Sequence, residues 1–169
     1  MEENLDHKKE LIERIILFYK RNKKKTLITL FILPLLGFML FLINNHHKAN
    51  NELISEKYTQ ANIFISNDKN EKAKEILDEI ISSENRFYSL LALNKILEKN
   101  LETNNSKILQ YFDTLEKIKY SEETSSLIKF KKSLYLLSIG NTASGEKLLN
   151  SLIVENSIFK EAAQEIIEK

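Results

Sequence analysis

From Asn50 to the C-terminus, apolar residues return every three or four positions in seven successive stripes, each broken by a short polar stretch. The first runs through Leu53, Ile54, Tyr58, Ala61, Phe64 and Ile65, and the second through Ala73, Ile76, Leu77, Ile80 and Ile81. Phe87 to Leu97, Ile108 to Ile118, Leu127 to Leu137, Leu148 to Leu152 and Ile158 to Ile167 complete the set. This is the period of one face of an α-helix, and no comparable window alternates polar and apolar as a half-buried strand does. With three Gly and one Pro in 169 residues, tight β-turns are scarce. The expected fold class is all-α, with antiparallel helix hairpins stacked in chain order.

Two of the breaks resemble each other. "FISNDKNEKAKEIL" (64–77) and "LLSIGNTASGEKLL" (136–149) lie 72 residues apart, each with a polar, turn-prone cluster between apolar runs. Asn and Gly in such clusters supply left-handed helix ends, and Asn, Asp or Thr supply N-caps. A small residue stands just beyond each turn (Ala73, Gly145) and another twelve positions earlier (Ala61, Ser133). Small residues there let the two helices of a hairpin approach closely. Ala92 serves a middle pair, whose turn "EKNLETNNSK" carries extra residues, and Ala163 an incomplete last one. "GNTASG" has no preceding strand and no P-loop lysine, so it is neither a nucleophile elbow nor a phosphate loop.

"TLITLFILPLLGFMLFLI", Thr26 to Ile43, contains no charge. At about 1.5 Å per residue it spans about 27 Å, close to a hydrocarbon core of roughly 30 Å. No small-residue cleavage pattern follows it, which favours an uncleaved anchor over a signal peptide. Lys20, Arg21, Lys23, Lys24 and Lys25 crowd its N-terminal side, whereas only Lys48 is basic close to the other end. The positive-inside rule then leaves residues 1–25 in the cytoplasm and exports residues 44–169. Leu5, Leu11, Ile12, Ile15, Ile16 and Tyr19 recur at helical spacing before the anchor. An interfacial helix and a cytoplasmic extension of the anchor helix both stay open for this leader.

Composition narrows the chemistry. Lys and Arg total 25 against 24 Asp and Glu, and only Arg14, Arg21 and Arg86 are arginines, so a dedicated nucleic-acid binder is not expected. The absence of Cys removes thiol catalysis, disulfides and cysteine-ligated zinc. His46 and His47 are adjacent and point about 100° apart on a helix, which does not suit chelation, so no metal site is expected. The carboxylates Glu71, Glu75, Asp78 and Glu79 alternate with lysines on what reads as a solvated face, Lys74 included. Neither a cofactor nor a small-molecule substrate is expected, and the chain is not read as an enzyme.

The spacing of Ala61 with Ala73, and of Ser133 with Gly145, resembles a tetratricopeptide repeat. The charged leader ending "FYKRNKKK", a single anchor, and then helices of the "EKAKEIL" kind resemble the tetratricopeptide-like ancillary translocon subunits of bacterial inner membranes, the YfgM type. That resemblance implies a bitopic inner-membrane protein whose periplasmic repeat domain binds the Sec translocon and a periplasmic chaperone. Helix-repeat domains bind through the concave face lined by the first helix of each pair. In this phasing the face includes Tyr58, Asn62 and Ile65, then Arg86, Ser89 and Leu93, then Leu127 and Phe130. The rival readings are an adaptor of another envelope complex, such as cell division, and a small helical hydrolase.

Overall fold

The computed structural model describes residues 50–168, together with 12–14, 16–18, 20–24, 32, 35, 38 and 39. The chain divides into two units, Met1–Asn50 and Asn51–Lys169. In the first, every described residue is helical. No helix among the described residues is long and apolar enough to cross a membrane. Of the expected anchor Thr26–Ile43, only Ile32, Leu35, Phe38 and Met39 are described, and all four are helical and exposed. The rest of that segment lies outside the described residues, as does Lys25.

The second unit is a succession of helices, with no strand among the described residues. Helix α1 covers residues 50–66. It is followed by α2 (Asn70–Ser82), α3 (Tyr88–Glu98), α4 (Asn105–Lys117), α5 (Glu122–Ser138), α6 (Thr142–Val154) and α7 (Lys160–Ile167). Each apolar stripe becomes one helix. In α2 the buried residues are Ala73, Leu77, Ile80 and Ile81, and in α4 they are Ile108, Tyr111, Phe112 and Leu115. These spacings place four side chains on one face, which is the face each helix turns inward.

The turns follow from residues that tolerate a left-handed backbone. Asp68 closes α1 with φ 56°, its N–H donating to the Ile65 carbonyl while that of Lys69 donates to Phe64. This paired closure satisfies two carbonyls that the helix leaves unbonded. Asn100, Gly140 and Asn156 end α3, α5 and α6 in the same way, with φ 54°, 80° and 51°. Glu84 takes φ 53° after α2. The 72-residue step thus separates Asp68 from Gly140 and also Glu84 from Asn156. N-capping differs between the copies: the Asn141 side chain accepts from Ser144 N–H at the start of α6, whereas Lys69 offers α2 no side-chain cap.

Helices adjacent in sequence pack as pairs: α2 on α3, α6 on both α5 and α7, and α4 chiefly on α5. Ala61, Ala73, Ala92, Ser133 and Gly145 are all buried. A Cβ placed on Gly145 would lie 2.7 Å from Leu137 Cδ2 and 3.1 Å from the Ser133 carbonyl, so the bare backbone of α6 at Gly145 admits the Leu137 side chain and the Ser133 carbonyl of α5. Ala73 and Gly145 are each the fourth residue of their helix, and in α4 that place belongs to Ile108. A branched side chain stands there, and α4 touches α3 only lightly.

Two apolar cores result. The larger gathers Leu77, Ile80, Ile96, Phe112, Leu115 and Ile128, among others from α1 to α5. The smaller joins Leu149, Leu152 and Ala163 under Phe130, Leu137 and Phe159. Full burial of such side chains stabilises by about 1.5–3 kcal/mol each, so the cores dominate over the surface ion pairs. Those pairs still bridge helices: Lys132 lies 2.8 Å from Asp113 and 2.7 Å from Glu116, and Lys129 lies 2.7 Å from Glu155.

Candidate protein-binding surface

Tyr58 is half-buried on α1, its ring centroid 5.8 Å from that of Tyr88 at the start of α3. Phe87 meets Tyr88 edge-on at 5.0 Å and stays 64% exposed. A comparable aromatic pair stands at the other end of the unit, where Phe130 of α5 stacks on Phe159 just before α7, with centroids 4.9 Å apart, Phe159 corresponding to Phe87 and not to Tyr88. Tyr58 and Phe130 are 72 residues apart, as are Phe87 and Phe159. Each aromatic group ties the first helix of one pair to the first helix of the next. Aromatic contacts of this kind add about 0.5–1.5 kcal/mol beyond the area they bury.

The remaining expected surface residues divide between the surface and the interior. Asn62 donates its amide to the Tyr58 carbonyl at 2.9 Å and is half-buried. Arg86 is exposed, and its neighbour Asn85 is held to α1 by a 2.7 Å bond from its amide to Asn51 Oδ1. Arg86 also lies close enough to Tyr120 to oppose the upward push that burial gives that phenol. Ser89 does not belong to a surface. It is fully buried, and its hydroxyl donates to the Ile80 carbonyl at 3.0 Å, so a residue expected on the concave face instead joins α3 to the end of α2. Tyr58 packs against the larger core and Phe130 against the smaller, so the two aromatics serve separate groups.

A groove of about 590 Å³, not anticipated from the pattern of stripes, runs between the end of α3, the α3–α4 connection and α5. Leu97, Ile108 and Leu134 line it with apolar surface, Leu134 remaining 39% exposed. Tyr135 crosses it, donating its hydroxyl to Asn105 Oδ1 at 2.8 Å. Lys131 stands on its wall and makes no ion pair among the described residues. The lining is therefore mixed, with apolar side chains beside the Lys131 ammonium, the Glu102 carboxylate and the amides of Asn100 and Asn105. Ile108 was the available signal in the sequence, once the start of α4 is known.

At the groove's wall a polar cluster centred on Glu102 fixes the α3–α4 connection. Glu102 is nearly buried, with one carboxylate oxygen 3.0 Å from Lys74 Nζ and the other accepting from Asn104 N–H at 2.8 Å. Those two contacts, the backbone donor first, hold its carboxyl below the ordinary range, and Glu102 in turn raises Lys74. Lys74 is therefore not a freely solvated lysine. Beside it Lys107 pairs with Asp78 at 3.2 Å and lies over the Tyr111 ring. Burial first, and then the nearby Asp78 and Glu102, push the Tyr111 hydroxyl above the ordinary phenol range.

His46 and His47 lie outside the described residues. No family model, curated protein or solved structure matches this chain.

Proposed function

We propose that this chain is a membrane-tethered stack of tetratricopeptide-like helix pairs that binds other proteins, and that its partners are the Sec translocon and a periplasmic chaperone. The observation that carries the reading is the 72-residue recurrence. The same step relates two pairs of left-handed turns, the small residues Ala61 and Ala73 to Ser133 and Gly145, and the aromatics Tyr58 and Phe130. Stacked pairs of this kind form an extended surface along their first helices, the usual use of which is to hold segments of other proteins. Four described apolar residues of the run Thr26–Ile43 are exposed on helical backbone, as side chains facing lipid would be. The translocon and chaperone enter through the resemblance of the leader, anchor and repeats to the ancillary subunits.

Tethering raises the local concentration of the binding unit near membrane partners without adding contacts. Weak, transient binding then suffices. The test is photo-crosslinking in cells from Tyr58, Arg86, Phe130 and Leu134, with exposed Lys147 of α6 as the control. The first four are expected to capture translocon or chaperone subunits well above the control. Equal capture from all five positions would sink the reading.

A further inference from the structure

Contacts between helices show which turns of the second unit share an end. Lys57 pairs with Glu79 at 2.8 Å and Asn51 accepts from the Asn85 amide at 2.7 Å, and both contacts straddle the turn at Asp68 evenly. Tyr135 with Asn105 straddles the α4–α5 turn in the same way, and Lys129 with Glu155 the turn after α5. Lys74 and Asp78 meet Glu102 and Lys107 in the same order, so α2 and α4 run parallel. The start of α1 and the α2–α3, α4–α5 and α6–α7 turns therefore fall at one end. At that end stand Leu53 in the first turn of α1, Phe87, Val154 as the last residue of α6, and Ile158, the last two 85% and 69% exposed. The opposite turns, at Asp68, Asn100 and Gly140, present no exposed large hydrophobic among the described residues, and Ile63 and Leu134 lie on the bodies of their helices. Apolar side chains scattered singly over a surface need no explanation, but their gathering at one end does.

We infer that this end of the helical unit rests on the bilayer surface, with Leu53, Phe87, Val154 and Ile158 in the acyl boundary. The inference rests on the membrane anchor of the proposed function and goes beyond it by giving the folded unit a lipid contact of its own. Chain length selects the occupant. Asn51 follows Ile43, the last residue of the apolar run, by eight residues, which reach at most about 28 Å when fully extended. Helix α1, residues 50–66, rises about 25 Å. To set the opposite end on the bilayer, the connection would have to run back along that whole height. Exposed Arg86, Lys117 and Lys119 share the near end with exposed Glu84, Glu122 and Glu123, so no excess of cations directs it to anionic lipid. The contact is apolar, and immersion removes these side chains from water. It also sets a height: Tyr58 and Phe130 each stand eight residues into their helices, about 12 Å from that end.

The test uses the full chain, which has no cysteine, in vesicles of phosphatidylethanolamine and phosphatidylglycerol. Fluorophores are attached singly through Lys119→Cys in the α4–α5 turn, Lys69→Cys at the opposite end and Phe38→Cys in the apolar run. Quenching by lipids with nitroxides at the headgroup is expected to be several-fold stronger at position 119 than at 69. Phe87→Ser, Val154→Ser and Ile158→Ser together are expected to abolish the difference. The pair Val154→Ser with Ile158→Ser, which spares the Phe87–Tyr88 contact, is expected to reduce it. Replacing phosphatidylglycerol by phosphatidylcholine is expected to leave it unchanged. Equal quenching at 119 and 69, or stronger quenching at 69, overturns the inference. So does a difference that survives both sets of replacements, or one that needs anionic lipid. Position 119 shielded from iodide in native membranes but unquenched in lipid vesicles assigns this end to a protein and overturns it too. Position 38 separates the two claims: no quenching there by nitroxides deep in the acyl chains removes the anchor itself. Quenching there, with equal signals at 119 and 69, removes only the lipid contact.

Discussion

The Lys74 ammonium lies 3.0 Å from the Glu102 carboxylate and so joins the middle of α2 to the connection between α3 and α4. With Lys74 replaced by leucine, Glu102 keeps its bond from Asn104 N–H but loses the one cation it pairs with among the described residues. The pair sits between a surface and a buried bridge, so Lys74→Leu is expected to cost about 1–2 kcal/mol. Replacing both residues, Lys74→Leu with Glu102→Leu, is expected to recover part of that loss, because no nearly buried charge is left without a partner. Urea melts of the two single variants and the double variant in mild detergent measure the coupling. Strictly additive losses would mean that the pair contributes nothing.

The same pair sets opposite pH limits. Glu102 is held below its ordinary range when folded, so the unfolded chain binds that proton more readily. Its contribution is complete above the ordinary glutamate range and is lost as pH falls through the depressed value. Lys74 is held above its ordinary range, so its contribution is complete below the ordinary lysine value and is lost as pH rises through the raised one. Glu102→Gln is expected to flatten the acid limb of a stability profile without abolishing it, since Glu98 and Glu123 are also held low. An unchanged acid limb would remove Glu102 from the account.

Gly145→Ala brings two effects into opposition. Alanine favours the helix by about 1 kcal/mol over glycine. Its Cβ, however, would meet Leu137 at 2.7 Å and the Ser133 carbonyl at 3.1 Å, and overpacking costs about 1–3 kcal/mol. A net loss near 1 kcal/mol is expected in a urea melt. A gain would show that α5 and α6 have room to part.

Glu84 takes a left-handed conformation that costs an L-residue about 1–2 kcal/mol, and Glu84→Gly is expected to stabilise by up to about 1 kcal/mol. Gly140→Ala is expected to lose about 1 kcal/mol for the same backbone reason, since nothing lies within 4 Å of the added Cβ. Paired thermal melts compare them, and shifts of the same sign would contradict the backbone argument.

Orientation is testable because the chain has no cysteine. Cysteine introduced at Glu3 or Asn67, probed in intact cells with an impermeant maleimide, is expected to label at position 67 and not at position 3. The reverse pattern would overturn the charge-based direction.

The helices were readable because each needs only its own stripe and a turn that stops it. Ala73, Leu77, Ile80 and Ile81 announce an inward face wherever α2 is placed. The candidate surface was less readable, since its features depend on partners far along the chain. A serine that lines a groove and one that bonds a buried carbonyl look alike until the Ile80 carbonyl is found beside Ser89. Lys74 looked solvated because its partner, Glu102, lies beyond the whole of α3. Tyr58 and Phe130 were legible as large aromatics, but not as the halves of two ties between neighbouring pairs.

Ile108 gives the stack something that uniform copies lack, a landmark. Along a perfectly regular array a bound strand meets the same contacts again after each step, and several sliding positions are nearly degenerate in energy. One branched side chain where the flanking copies carry Ala73 and Gly145 lines a groove beside α3. A ligand laid along this surface therefore meets, at this copy, a place for a protruding side chain. Drift in a single copy of a repeat is in this way enough to convert a generic surface into an address.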